Sequence, residues 1–128
     1  IYHGEQENMA HYFKMAHCIV HPSYYPEGMS NVLLEAASSA RPVVATDRSG
    51  CRETVTNGIS GLIVPIKDEK ALICAIEHFL QLPWERRREM GLAGRKKMEN
   101  EFDRKIVVKL VVEEIQHCIS SDRTAATV

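Results

Sequence analysis

The sequence predicts an α/β domain built on a parallel sheet, and two observations support this fold class. Short apolar runs at residues 18–20, 42–46 and 61–65 alternate with stretches in which apolar residues recur at helical spacing. Short, continuously apolar strands that are separated by helices are typical of parallel pairing with both sheet faces covered. The β-α-β-α-β order with right-handed crossovers gives a three-layer, doubly wound, Rossmann-like sheet of about four strands.

The individual elements follow from local patterns. Ile1–His3 is predicted to be a short strand remnant and therefore the fourth strand. Asp68 is expected to cap a helix that carries the core candidates Leu72, Ile76 and Phe79. The other predicted helices cover residues 5–16, 29–39, 52–56, 84–100 (broken near Gly91 or Gly94, with Met90 in the core) and 103–118.

Composition restricts the class of protein. The chain has 128 residues, the usual size of one domain, and we assign residues 1–119 to it and residues 120–128 to a disordered polar tail. The net charge of -1 leaves no polybasic face, so nucleic acid is not an expected partner. No apolar run approaches the roughly 20 residues of a membrane span. Since the chain begins with Ile1 in an apparent strand, we expect a piece of a longer protein.

The four cysteines indicate a reducing compartment. They are irregularly spaced, with Cys18 in an apparent buried strand, Cys51 in a loop and Cys74 in an apolar helix stripe. Cysteines used in this way are small hydrophobic residues rather than disulfide partners, which favours a cytoplasmic setting.

The stretch PEGMSNVLLEA, residues 26–36, predicts a site for phosphate. A helix that starts near Met29 directs its free amides and its dipole at whatever lies over the helix start. Gly28 allows close backbone approach, and Ser30 and Asn31 offer side-chain donors. The loop belongs to the carboxyl ends of the strands, where ligands bind in sheets of this kind.

Two glutamates flank this helix start. Glu35 lies about six residues into the predicted helix, roughly 9 Å along the axis, which suits a carboxylate that holds a ribose while the amides hold a diphosphate. Glu27 would lie beyond the phosphates, next to a transferred sugar. The alternative is that Glu35 belongs to a solvated strip and Glu27 is a loop charge near the helix dipole. The spacing alone leaves both interpretations open.

Other motifs have simpler explanations. His17-Cys18-x-x-His21 resembles a metal motif, but a strand there would place Cys18 on the face opposite to the two histidines, so no metal is expected. Cys51 has no identifiable base partner and is taken as a loop filler. The basic clusters ERRRE and GRKKME contain glutamates, which favours an ion-paired solvated face over a nucleic-acid or membrane patch.

Residues 21–65 resemble the donor-binding half of the family-4 retaining glycosyltransferases, which have the GT-B fold. The resemblance depends on an ordered set of motifs rather than on one: Glu27-x7-Glu35, the preceding Pro22-Ser23, Pro42-Val43, Gly50-x-x-Glu53 and Asn57-Gly58-x-x-Gly61. The order and spacing fit from about Ile1 to Leu82, and later helices also resemble the family's C-terminal segment. The resemblance implies that residues 1–119 form the C-terminal, nucleotide-sugar-binding domain.

The resemblance implies roles for single residues. Glu35 would bind the ribose hydroxyls, and Glu27 would contact the donor sugar at the reacting centre. The diphosphate and sugar would be bound by a group of backbone amides and by one small loop residue: Gly28, Met29, Ser30, Asn31 and Gly50. The base would lie near the N-terminal stretch that contains Tyr2, His3 and Glu5. Glu53 is expected to hold the Gly50 loop in place.

The implied function is hexosyl transfer. The chain would bind a nucleotide diphosphate-sugar, with UDP expected, and transfer a hexose or N-acetylhexosamine to a saccharide or lipid-linked saccharide acceptor. The context would be bacterial surface polysaccharide synthesis at the inner face of the cell membrane, without a metal or other cofactor. The alternative is a non-catalytic nucleotide or anion-binding module.

Two departures from the family pattern are evident. The family's diphosphate-binding Arg and Lys, and its N-terminal acceptor-binding domain, lie upstream of Ile1, so the chain alone is expected to be inactive. Ala40 stands where the family has Gly in the turn before Pro42. A positive φ would cost Ala about 1 kcal/mol there, and we expect the loop to adjust.

Overall fold

A computed structural model describes residues 1–26 and 28–125, with side chains described up to residue 120. The elements in these residues are α1 (Met9–Met15), β1 (Ile19–His21), α2 (Asn31–Ser38), β2 (Val43–Thr46), a 3₁₀ turn (Arg52–Thr54), β3 (Gly61–Val64), α3 (Glu69–Gln81), α4 (Trp84–Glu101) and α5 (Arg104–Ala125). The side chain of Asp68 accepts a hydrogen bond from the Ala71 amide, at 2.9 Å, so the predicted cap of α3 is confirmed.

The three strands form one parallel sheet in the order β1-β2-β3. Their register pairs Ile19 with Val43 and Val43 with Gly61. Helices α1, α2 and α4 lie on one side of the sheet and α3 lies on the other, which gives the predicted three layers. The fold class is therefore confirmed.

The described residues contain three strands rather than about four. Ile1 and Tyr2 are almost fully exposed, and Ile1–His3 has no strand conformation. A three-residue strand depends on a paired neighbour for its hydrogen bonds, and the described residues offer none to this segment. The prediction failed because an apolar run identifies a strand candidate but not its partner.

The core lies between the sheet and α2. Leu33 and Ala36 of α2 pack against Val43 and Ala45 of β2, and all four are at most 2% exposed. On the other sheet face, Phe79 of α3 is also buried, as predicted, while Leu72 and Ile76 are only half-buried. Alternate residues of β2 therefore pack against helices on opposite faces of the sheet.

The C-terminal end of α2 is a Schellman motif. The amide of Arg41 donates to Ala36 O at 3.0 Å, and the amide of Ala40 donates to Ala37 O at 2.9 Å. This places Ala40 in the left-handed region, with φ 54°. The expectation that the loop would adjust is wrong, because both hydrogen bonds require that conformation.

Helix α4 is continuous through Gly91 and Gly94, so the predicted break is wrong. A Cβ at Gly91 would overlap the carbonyl oxygen of Ala40, whereas a Cβ at Gly94 would lie 3.6 Å from the Cβ of Ala37. Gly91 is thus explained by the close approach of α4 to the end of α2 rather than by a helix break. Met90, one residue earlier, is 1% exposed and lies in the core as predicted.

Helix α5 continues to Ala125, six residues into the segment that was predicted to be a disordered tail. None of its residues after Cys118 breaks a helix, and an existing helix propagates at one hydrogen bond per added residue. Residues 126–128 lie outside the described residues.

Candidate functional site

The loop after β1 carries most of the predicted site, and residues of β2 hold it at the carboxyl edge of the sheet. The hydroxyl of Thr46, at the end of β2, donates to the carbonyl of Ser23. Arg48 donates from Nε to the carbonyl oxygen of Tyr25 at 2.9 Å. Thr46 at the end of β2 and Arg48, two residues later, thus hold the first part of the loop in place.

A third contact fixes the end of the same loop. The amide of Ser30 donates to the carbonyl of Gly50 at 3.0 Å, and the amide of Gly50 donates to Oε2 of Glu53 at 2.7 Å. Gly50 has φ 87°, a conformation that glycine adopts readily. Hydrogen bonds from its own amide and from that of Gly50, together with the charge of Arg52, hold the pKa of Glu53 below its ordinary value. The geometric role predicted for Glu53 is confirmed.

The N-terminal end of α2 is open. The first intrahelical bond joins the Leu34 amide to Ser30 O, so the amides of Asn31, Val32 and Leu33 precede the helical ladder. Ser30 is the N-cap, but its side chain makes no capping bond and its Oγ lies 3.4 Å from Nε2 of His21. Asn31 and Val32 are exposed, so their amides are the donors that the helix start can offer to an anion, whereas Leu33 is buried.

The four residues proposed to offer amides do not lie in equivalent surroundings. Gly28, Met29 and Asn31 are exposed at the helix start, as a ligand contact requires. Ser30 is 4% exposed, and its amide is already bonded to Gly50. In this structure the Ser30 amide is therefore occupied, and Gly50 acts on the helix start through Ser30. Sequence spacing could not reveal this contact between two loops.

Glu35 is exposed and lies in a hollow of about 320 Å³ between α1 and α2. Ala10 and Phe13 of α1 form the opposite wall. Because α2 begins at Asn31 rather than near Met29, Glu35 lies about 6 Å along the axis from the first helical residue, not 9 Å. Glu27 lies outside the described residues.

The candidate base-contacting residues lie before α1. The ring of His3 packs against Tyr12 of α1, with centroids 4.9 Å apart, while Tyr2 and Glu5 are exposed. Since α1 also forms one wall of the Glu35 hollow, His3 is connected to that hollow through one short helix. Of these three exposed residues, His3 is the one with a ring contact to α1 among the described residues.

A second hollow, of about 450 Å³, lies at the same sheet edge on the side of α3. The rings of Tyr24 and Tyr25 stack at 4.4 Å, and Lys67 lies 5.2 Å from the centroid of the Tyr24 ring. The hydrogen bond from Tyr24 to the Tyr25 hydroxyl raises the pKa of Tyr24. No sequence pattern predicts this cluster, because the contact between Tyr24 and Lys67 joins the loops after β1 and β3.

Comparison with known proteins decides the family. The family described as glycosyl transferases group 1 matches residues 1–97, which is most of the chain.

The chain belongs to the group 1 glycosyltransferases.

Two relatives illustrate the similarity of this group 1 chain. It is 35% identical over 91 residues to a D-inositol 3-phosphate glycosyltransferase of Frankia alni, covering 70% of the chain and 22% of the relative. It is 38% identical over 81 residues to the capsular polysaccharide biosynthesis glycosyltransferase CapM of Staphylococcus aureus, covering 63% and 21%. The chain thus spans about a fifth of the length of these relatives.

Solved glycosyltransferase structures share the fold of this group 1 chain. The sucrose-phosphate synthase of Thermosynechococcus elongatus superposes with a TM-score of 0.78 at 30% identity, over 86% of the chain and 27% of that protein. The Anabaena protein HepE in complex with UDP-glucose superposes with a TM-score of 0.79 at 19% identity, over 88% and 30%. Both comparisons are consistent with one domain of a GT-B enzyme.

The cysteines of this group 1 chain occupy different environments from those predicted. Cys51 is 1% exposed and packs in the core with Val55, so the prediction of a loop filler is wrong. Cys74 is exposed rather than part of an apolar stripe. Burial raises the pKa of the half-buried Cys18 to about 11, which keeps its thiol protonated at neutral pH.

Two features are absent from the described part of the chain. Residues 1–26 and 28–125 contain no cluster of three or more His, Cys, Asp and Glu side chains suited to holding a metal ion. Among the helices of the same residues, none is both long and apolar enough to cross a membrane.

Proposed function

We propose that this chain is the donor-binding domain of a retaining glycosyltransferase. Its donor is a nucleotide diphosphate-sugar, with UDP as the nucleotide, and the transferred group is a hexose or N-acetylhexosamine. The acceptor is a saccharide or a lipid-linked saccharide of a bacterial surface polysaccharide, a context supported by the similarity to CapM. The UDP-glucose complex of HepE supports testing UDP first.

The observation that carries the proposal is the geometry of the start of α2. Helix amides without a side-chain cap lie at the carboxyl edge of a parallel sheet, where such sheets bind their ligands. One turn further along the helix, Glu35 lies in an open hollow. A diphosphate at the amides and a ribose at Glu35 fit this spacing, since both belong to one nucleotide.

In this proposal the chain stabilises the leaving group. The amides of Asn31 and Val32, with the dipole of α2, bind the diphosphate as negative charge develops on it. The acceptor attacks the sugar from the face that the nucleotide leaves, and Glu27 contacts the sugar at the reacting centre. No metal or other cofactor takes part, and the remaining positive charge comes from Arg and Lys outside this chain.

The proposed setting is the cytoplasm, with the full-length enzyme at the inner face of the membrane. The acceptor is then bound by an N-terminal GT-B domain that faces the carboxyl edge of the sheet. We expect this chain alone to bind nucleotide weakly and to transfer no sugar. Turnover of a UDP-sugar by the chain alone would contradict this division of roles.

The proposal is tested by nuclear magnetic resonance titration of the chain with UDP, GDP, ADP and inorganic pyrophosphate. Chemical shifts are expected to change at the amides of Asn31 and Val32 with all four ligands. Glu35→Ala should weaken binding of the three nucleotides about tenfold and leave pyrophosphate binding unchanged, because only the nucleotides carry a ribose.

Glu77→Ala is the matched control, because Glu77 is an exposed glutamate on α3, on the other side of the sheet. Its nucleotide affinity should equal that of the unchanged chain. Shifts centred away from the start of α2 would contradict the site. Equal loss of nucleotide and pyrophosphate binding in Glu35→Ala would contradict the ribose contact.

A further inference from the structure

A basic hollow lies at the amino edge of the sheet, opposite the proposed donor site. Its volume is about 300 Å³, and it is formed by the residues before β1 and β2 together with the first three turns of α4. Its lining residues are His17, Ser39, Ala40, Arg41, Pro42, Trp84, Arg87, Arg88 and Leu92. Three arginines therefore line one hollow that has no aspartate or glutamate in its wall.

The guanidinium groups of this hollow retain unused donors. Arg41 donates one Nη hydrogen to Lys14 O at 3.3 Å, but its buried Nε has no acceptor within the described residues. Arg87 lies over the Phe79 ring at 5.9 Å, and its buried Nε likewise has no acceptor among these residues. Leaving a buried donor of a charged group unpaired is unfavourable, so these groups are suited to an external acceptor.

Three other basic residues of α4 differ from the arginines of the hollow. Arg86 pairs with Glu89 at 3.2 Å, Arg95 with Glu99 at 2.9 Å, and Lys97 with Glu101 at 2.7 Å. For these residues, the predicted ion-paired solvated face is confirmed. Arg87 and Arg88 interact with aromatic rings instead, so their charges have no carboxylate within salt-bridge distance in the described part of the chain.

We propose that this hollow binds a phosphate group. Planar guanidinium groups match phosphate oxygens through paired N–H bonds, and three of them compensate the charge of a dianion. The turn that presents Arg41 is rigid, because the Schellman motif and Gly91 fix Ala40 beside it. The site does not depend on the proposed donor site, which lies at the other end of α2.

The phosphate can come from a lipid headgroup or from a soluble compound. Trp84, which is 62% exposed, and Leu92, which is 46% exposed, lie beside the arginines. Exposed tryptophan and leucine next to arginine are also the composition of surfaces that bind anionic membranes. The experiment therefore needs one arm for each source.

Trp84 provides a direct probe, because it is the single tryptophan of the chain and Arg88 lies 5.9 Å from its ring. In the soluble arm, inorganic phosphate is titrated at constant ionic strength against sodium chloride, and Trp84 fluorescence is recorded. In the lipid arm, phosphatidylcholine vesicles with and without phosphatidylglycerol replace the phosphate. We expect a saturable change with phosphate or with the anionic vesicles, and none with chloride.

Arg87→Gln should raise the dissociation constant about tenfold, since it removes one charge-assisted contact. Arg88→Gln, at an exposed position, should act in the same direction even if Arg87→Gln fails to fold as judged by circular dichroism. Arg95→Gln is the matched control, because it removes an ion-paired arginine from the same helix, and it should bind as the unchanged chain does.

Three results would overturn the proposal: no response of Trp84 to phosphate or to anionic vesicles, an equal response to chloride, or equal weakening by Arg95→Gln. A response to phosphate without preference for anionic vesicles would support a soluble phosphate compound. A response to anionic vesicles that Arg87→Gln or Arg88→Gln weakens would support a lipid headgroup.

Discussion

At its N-terminal end α2 begins without a side-chain cap and with exposed residues, whereas at its C-terminal end both bonds of a Schellman motif are made. The start is held by the bond from the Ser30 amide to Gly50 O, and within the described residues the amides of the next residues, Asn31 and Val32, have no such partner. The end is covered by α4, which approaches so closely that Gly91 has no room for a side chain.

The two ends of this eight-residue helix therefore contribute to different properties, the start to ligand binding and the end to stability. Open amides contribute little to the folded state but are available to an anion. Satisfied carbonyls and close packing at the other end contribute to the free energy of unfolding. We therefore expect substitutions at the C-terminal end to change stability and substitutions at the N-terminal end to change ligand binding.

The largest expected effect comes from Gly91→Ala. The new Cβ would overlap the Ala40 carbonyl, a backbone group that the Schellman bonds prevent from moving. Overpacking of this kind should lower the free energy of unfolding by about 3 kcal/mol, measured by urea denaturation.

Gly94→Ala is the control for Gly91→Ala, because its Cβ would make an ordinary contact of 3.6 Å with Ala37. Its higher helix propensity should leave the domain unchanged or up to about 1 kcal/mol more stable. Equal destabilisation by both substitutions would show that the end of α2 is not a sterically closed contact.

A smaller effect of opposite sign is expected for Ala40→Gly. Glycine removes the strain of φ 54°, although it increases the entropy of the unfolded chain. The net gain in the free energy of unfolding should be about 0.5 kcal/mol, read from urea denaturation. Ala93→Gly, inside α4, should instead lower stability, and a loss in both variants would mean that Ala40 is not strained.

The smallest expected effect concerns the loop at the open end and its dependence on pH. The folded state lowers the pKa of Glu53 below its ordinary value of 4.5. Its contribution to stability is therefore present above pH 4.5 and is lost as the pH falls through the lower pKa of the folded state.

Glu53→Gln tests this contribution by urea denaturation between neutral and acidic pH. The variant should be less stable than the unchanged chain at neutral pH, and the difference should shrink on acidification. Glu77→Gln, which alters an exposed glutamate on the opposite side of the sheet, should leave the pH dependence unchanged. A difference between Glu53→Gln and the unchanged chain that is constant with pH would show that the Glu53 carboxylate does not stabilise the Gly50 loop.

Local patterns predicted much of the site. The Pro and Gly residues before a run of Val, Leu and Ala predicted a loop and a helix start, and that helix begins at Asn31, within two residues of the prediction. Glu35 then had to project from this helix, and it does lie in a hollow. The contacts of Thr46 and Arg48 with the loop after β1 were missed, because they join segments more than 20 residues apart.

The sequence by itself determined the order of the helices and strands from α1 onward, the cap at Asp68 and the position of the helix start, because these depend on neighbouring residues. Tertiary structure alone decided that Ser30 gives its amide to Gly50, that Cys51 enters the core, and that α4 is unbroken at Gly91. Each of these three features depends on a contact with a segment that is distant in sequence, and a local sequence pattern does not specify such contacts.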